Sequence, residues 1–250
     1  AKQDLIIVDF LKARELDPTS AAIAKELAVF CLNQTEFGCK PEIEDLMKLS
    51  PNGYAYYLRG LRELNRVLEK SSIYTNYQES SAKAVADFEK ATALDKKIAD
   101  YPNFYRQFGR IQYFAKNYAA SIENLNKQIA ADAATNKKSA WNYIHRSQTY
   151  LAMGDSGAAL KDFDELEKID HKIPQIYLGR GDYFRDTKDY DKALIEYKKF
   201  NQLFDGSYAN WKLAHVYGLK KDYPNAETNL KLVWAQNNGT RSSWIKNADF

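Results

Sequence analysis

One phrase recurs along the chain at near-constant spacing. Lys116-Asn117-Tyr118 leads to Ser121 and Leu125, and Met153-Gly154-Asp155 leads to Ala159 and Phe163. Lys188-Asp189-Tyr190 leads to Ala193 and Tyr197, and Lys221-Asp222-Tyr223 leads to Ala226 and Leu230. Upstream, Ala84 and Phe88 hold the same two positions. The small residues 84, 121, 159, 193 and 226 are separated by 37, 38, 34 and 33 residues. A period of that length limits the chain to stacked copies of one supersecondary unit.

Each copy has a first half. Tyr143, Ser147 and Tyr150 form one set, and Tyr177, Gly181 and Phe184 another. Tyr56 with Gly60, Tyr105 with Gly109, and Ala214 with Tyr217 give partial versions. Spacings of three and four put these residues on one helical face. Each unit therefore reads as two short amphipathic helices, with the Gly-Asp or Lys-Asp pair as the turn. Small residues on both helices let the backbones approach, and aromatics fill the remaining space. One pair cannot bury its apolar face, so neighbours must stack. Composition agrees: 45% of residues are apolar, 28% are charged, and 11 Gly and 6 Pro are few for a fold of many turn-linked strands.

This pattern resembles the tetratricopeptide repeat, a helical hairpin of about 34 residues. The resemblance implies an all-α, right-handed superhelical array of antiparallel helix pairs, a tetratricopeptide-like α-solenoid. Five copies are readable over residues 52–238. Residues 1–51 read as degenerate N-terminal repeats or a cap, and 239–250 as a capping helix or the start of a further repeat. The first copy carries about twelve extra residues near 65–79, either a lengthened first helix or a projecting loop. The family's closing Pro is present at Pro18 and Pro51 but replaced by Lys96, His171, Asp205 and Asn238.

Catalytic signatures are absent from the sequence. There is no phosphate-cradling Gly-rich loop, paired-His helix motif or nucleophile elbow. His145, His171 and His215 have no His or Cys at metal-ligand spacing, so no metal and no cofactor are expected. Asp162 and Asp164 flank Phe163 and read as the solvated face of a second helix. Cys31 and Cys39 are free thiols or one bridge, and two small buried apolar residues is the plainer expectation. No apolar run approaches the ~20 residues of a membrane span. The chain begins at Ala1 without Met, which reads as a processed product or excised segment. Any targeting segment then lies outside it. The expected setting is soluble, with a lean toward the bacterial cell envelope.

Tyr56, Tyr105, Tyr118, Tyr143, Tyr150, Tyr177, Tyr190, Tyr197, Tyr217 and Tyr223 occupy repeat positions expected in the core. In tetratricopeptide arrays the first helix lines the concave surface. The resemblance places Tyr54, Tyr57, Asn103, Arg106, Gln107, Arg110 and Tyr113 on or near that surface. It places Trp141, His145, Gln148, Gln175, Asp182, Arg185, Tyr208, Trp211, Lys212 and His215 there as well. Aromatic, Arg and amide side chains in a concavity suit another protein or an extended peptide. Chaperone-binding members grip a C-terminal carboxylate with a Lys/Asn, Asn, Lys/Arg set on three successive first helices. No three helices here supply it, which argues against carboxylate-clamp chaperone binding. A net charge of +3 argues against nucleic acid. The expected function is a non-catalytic scaffold that binds protein or peptide and assembles a complex. The alternatives are a small-molecule or glycan-binding domain, or a structural segment of a larger assembly.

Overall fold

The computed structural model describes residues 2–33, 40–70, 77–204 and 206–236. Among them every regular element is helical. The chain divides into two compact units, Ala1–Lys137 and Lys138–Phe250. The first holds α1 (Lys2–Leu16), α2 (Ala21–Asn33), α3 (Lys40–Leu49), α4 (Gly53–Lys70), α5 (Tyr77–Leu94), a 3-10 turn (Lys96–Asp100), α6 (Phe104–Phe114) and α7 (Tyr118–Ala134). The second holds α8 (Ala140–Met153), α9 (Ser156–Ile169), α10 (Pro174–Asp186), α11 (Tyr190–Leu203), α12 (Ser207–Leu219) and α13 (Tyr223–Gln236). The division falls between hairpins, and residues 1–51 lie within the first unit. The expected C-terminal segment 239–250 lies outside the described residues.

The hairpins pair α4 with α5, α6 with α7, α8 with α9, α10 with α11 and α12 with α13. The turns of the last four share one mechanism. Lys116, Gly154, Lys188 and Lys221 all have φ between 61° and 83°, the left-handed conformation that ends a helix. The next residue's N–H then reaches back to a carbonyl five residues earlier: Asn117 to Gln112, Asp155 to Tyr150, Asp189 to Phe184 and Asp222 to Tyr217, all at 2.8–2.9 Å. Three of these residues also start the second helix. The Asp155 carboxylate accepts from Ala158 N–H at 2.9 Å, with Asp189 and Asp222 doing the same for Lys192 and Asn225. The Gly-Asp or Lys-Asp pair is thus a helix stop and a helix start in two residues. Where the family's closing Pro is missing, Asp95 and Asp170 cap the exit by accepting from Lys97 and Lys172 N–H at 2.9 and 2.8 Å.

In three hairpins the small first-helix residue faces a large second-helix residue. A methyl on Gly60 would meet the Phe88 ring at 2.8 Å, and one on Gly109 would meet Leu125 Cγ at 2.8 Å. On Gly181 it would meet the Tyr197 ring at 2.5 Å. The small partners Ala84, Ser121 and Ala193 are fully buried. Their backbone carbonyls lie near Gly60 and Gly109, but at Gly181 the nearest atoms all belong to Tyr197. The first unit has one core, around Phe88, Phe104 and Leu64. The second unit has one around Phe163, Ile176 and Phe200 and another around Tyr197 and Leu213.

The twelve-residue insertion resolves in part. Residues 65–70 lengthen α4 to 18 residues, and Tyr77–Glu79 open α5. Two core expectations are corrected. Tyr223 is 66% exposed, because α13 is the last described helix and no described element stacks beyond it. Cys31 is not a free buried thiol but is held in a disulfide, at the edge of the first unit's core. Cys39, the chain's other cysteine, lies outside the described residues.

Candidate binding surfaces on the first helices

In the first unit, α4 and α6 carry the residues of interest. Tyr57 was expected to face a groove, but only 8% of it is exposed. It packs edge-on against Phe88 at 5.6 Å and against Phe104 at 5.8 Å, so it belongs to the core. Burial, then Tyr54 and Tyr101, push its hydroxyl up to about 12. Tyr54 is half-buried beneath the Lys25 ammonium, 4.9 Å from its ring centre. Tyr113, also half-buried, packs on Phe114 and Tyr118.

Asn103, Arg106, Gln107 and Arg110 follow one another at helical spacing along α6 and are all half-buried. Asn103 stands at the N-cap in the left-handed conformation, with φ 63°, and its side chain makes no cap bond. The Arg106 backbone N–H donates to Gln128 Oε1 at 3.3 Å. Arg110 Nη1 donates to Gln107 Oε1 at 3.0 Å. Burial lowers both guanidinium pKa values, and at Arg110 the neighbouring Arg106 lowers it further.

In the second unit, α8 leaves Trp141 57% exposed. Its ring stacks on His145 at 5.9 Å, and His145 Nδ1 lies 3.4 Å from Gln148 Oε1. Gln148 and, on α10, Gln175 are exposed.

The strongest polar convergence joins α10, α11 and α12. Asp182 Oδ1 accepts from Tyr197 OH at 2.6 Å, Lys212 Nζ at 2.6 Å and Arg185 Nη1 at 2.9 Å. Lys212 was expected on an open surface but is 6% exposed. Its ammonium lies 5.3–5.8 Å from the ring centres of Tyr197, Tyr208 and Trp211, a cage that its own charge fills. Asp182 supplies the counter-charge that makes this burial tolerable. Tyr208 and Trp211 stack at 5.9 Å, and Trp211 meets His215 at 5.6 Å. Burial, then Arg185 and Lys212, hold the His215 imidazole pKa below its ordinary value.

Asp162 corrects another expectation. It is 2% exposed rather than solvated, because Arg146 faces it across the hairpin. Arg146 Nε and Nη2 donate to its two oxygens at 2.5–3.2 Å. Arg59 grips Asp87 the same way, at 2.6 and 2.8 Å. Both arginines precede the small first-helix residue, and both aspartates precede the large second-helix residue. The separations are 28 and 16 residues. They differ by the inserted twelve, so the pattern was present in the sequence and was missed there.

No family model matches the chain. DnaJ homolog subfamily C member 7 of Homo sapiens is 25% identical over 208 residues, covering 80% of this chain and 41% of that protein. The chain thus spans about two fifths of the length of the curated relative it matches. Among solved structures, the C-terminal part of a TPR repeat-containing protein from Cytophaga hutchinsonii aligns with TM-score 0.64 at 17% identity, over 100% of this chain and 95% of that one. PilW, a widely conserved type IV pilus biogenesis factor, aligns with TM-score 0.68 at 14% identity, over 91% and 98%. One chain of the APC/C hetero-tetramer Cut9-Hcn1 aligns with TM-score 0.57 at 13% identity, over 94% and 43%. Among the described residues no helix is long and apolar enough to cross a membrane. Five phased hairpins, one turn mechanism shared by four of them and these neighbours agree: the chain has the all-α fold of tetratricopeptide-repeat arrays.

Proposed function

We propose that the chain is a non-catalytic scaffold, which binds another protein or an extended peptide through its first helices and so assembles a complex. The carrying observation is that α8 and α10 leave Trp141, Gln148 and Gln175 exposed while their hairpins are already packed. A large exposed aromatic is the side-chain chemistry of a binding hot spot. The carboxylates that would serve acid–base chemistry are engaged elsewhere. Asp162 is locked to Arg146, and Asp182 is shared among three donors. The Lys212 cage is occupied by its own ammonium, which speaks against a small-molecule or glycan pocket there. The Cys31 disulfide supports an oxidising compartment, in keeping with a cell-envelope setting.

A second reading has its own observation. On α13, Tyr223, Leu232 and Trp234 are 66%, 47% and 60% exposed, which suits an end-on contact within a larger assembly. Position-specific crosslinking separates the two. A partner held by the first helices crosslinks from α8, whereas an end-on partner crosslinks from α13.

A further inference from the structure

The buried tyrosines of the second unit use their hydroxyls inside the fold. Tyr177 donates to the His171 carbonyl at 2.8 Å and Tyr197 to Asp182 Oδ1 at 2.6 Å. Three tyrosines of the first unit do not. Tyr54 and Tyr57 on α4 and Tyr101, just before α6, form a triangle with ring centres 5.6–6.3 Å apart. Among the described residues none of their hydroxyls has a hydrogen-bond partner. Tyr57 is more than nine-tenths buried, so for its hydroxyl the missing bond is costly. Phe88 and Phe104 sheathe its ring, which leaves the polar tip outermost. Tyr54 and Tyr101 act electrostatically on that hydroxyl, and Tyr101 acts on the hydroxyl of Tyr54, so the three tips gather on one side.

The triangle selects a ligand by what it offers. Lys25, whose ammonium lies 4.9 Å from the Tyr54 ring centre, adds a further donor, so the set is rich in donors. A proline-rich segment is its complement, because each Pro contributes a carbonyl and no N–H. In the polyproline II helix those carbonyls have no internal partner. Prolyl rings pack on aromatic side chains, and the segment is ordered before it binds. Tyr101, 37% exposed, supplies an open ring for that contact. A sugar brings as many donors as acceptors and would leave its own donors unmatched here. A nucleobase needs a flat ring to stack on. The Tyr101 ring instead stands at 63–77° to its two neighbours, so the three rings form no continuous platform.

We propose that the hydroxyls of Tyr54, Tyr57 and Tyr101 are the donor face for a proline-rich, polyproline II segment of the partner, with a prolyl ring packed on Tyr101. This rests on the reading of the chain as a peptide- or protein-binding scaffold and names the chemistry of what it binds. The contact is made by phenols and ring faces and asks for no charge on the ligand, so its strength is indifferent to salt.

The test is fluorescence anisotropy with the full chain. The labelled probes are a (Pro-Pro-Ala)3 peptide, its (Gly-Ser-Ala)3 counterpart, a glucose hexasaccharide and an eight-nucleotide thymidine oligomer, at two salt concentrations. Saturable binding of (Pro-Pro-Ala)3 alone, unchanged by salt, is expected. Tyr57→Phe and Tyr101→Phe, which remove one oxygen each, are each expected to weaken it about 3–10-fold, the worth of one hydrogen bond. Neither change breaks an internal bond, so both variants should melt at or above the wild-type temperature. A tyrosine needed only for the fold would lower the melting temperature and leave affinity unchanged. Should Tyr57→Phe fail to fold, Tyr101→Phe and the (Gly-Ser-Ala)3 control decide. No binding of (Pro-Pro-Ala)3, equal binding of the two peptides, loss of binding at the higher salt, unchanged affinity in the folded variants, or preference for the saccharide or oligonucleotide overturns the proposal. Crosslinking of a partner to α8 together with any of those results would sink the proline-rich ligand and leave the scaffold reading standing.

Discussion

Arg146 and Asp162 close the α8–α9 hairpin with a two-pronged ion pair, Nε to Oδ2 at 3.0 Å and Nη2 to Oδ1 at 2.5 Å. Asp162 is almost fully buried, while about a fifth of the Arg146 side chain meets solvent. The pair does for this hairpin what apolar contact does elsewhere, and Arg59 with Asp87 repeats it in α4–α5.

Removing one partner should therefore hurt more than removing both. Asp162→Ala leaves the Arg146 charge in a largely desolvated site and is expected to lower unfolding free energy by roughly 3–5 kcal/mol. Arg146→Met combined with Asp162→Leu should recover at least half of that loss. Urea denaturation of the two variants decides. A single variant within about 0.5 kcal/mol of wild type would mean the pair contributes nothing.

The glycines give a prediction whose sign is set by space. In a helix interior, Gly→Ala ordinarily stabilises by up to about 1 kcal/mol. Gly218 in α12 has no heavy atom within 4 Å of an added methyl, so Gly218→Ala should stabilise. Gly181 in α10 would place that methyl 2.5 Å from Tyr197 Cε1, in a ring pinned by its hydroxyl to Asp182. Gly181→Ala should destabilise by about 1–3 kcal/mol. Chemical denaturation midpoints that move in the same direction for both variants would contradict this packing.

His215 makes stability depend on pH. Its folded pKa lies below the unfolded value, because burial, Arg185 and Lys212 all disfavour the imidazolium, outweighing Asp182 and Asp186. The unfolded chain thus binds the extra proton first as pH falls through the ordinary His range near 6.5. Stability from this group is present above that range and is lost on acidification. His215→Gln should melt with a shallower decline between pH 7.5 and 5.5 than wild type. Parallel melting curves across that window would show that His215 is not the titrating group.

The hairpin period, the turns and the small-residue positions were legible in the sequence, because each follows from local spacing along one helix. Tyr57 and Lys212 were misplaced for a different reason. Spacing shows which face a residue is on, and burial depends on what the next hairpin brings. Tyr57 is enclosed by Phe88 and Phe104, and Lys212 by Asp182 and three rings. Asp162 was read as solvated because a carboxylate on a second helix normally is, and its neutralising Arg146 is visible only when two hairpins are compared in phase. Trp141, placed by the same spacing argument, is exposed because no described side chain encloses it in that way.

The most direct test is photo-crosslinking in the native cellular context. A photoreactive phenylalanine analogue would replace Trp141 on α8, Lys161 on the exposed side of α9, or Trp234 on α13, one at a time. All three positions are exposed, so reactivity alone does not separate them. A scaffold that binds through its first helices gives one discrete protein adduct from position 141 and none from 161. Adducts from 234 or 161 with none from 141 would contradict the account.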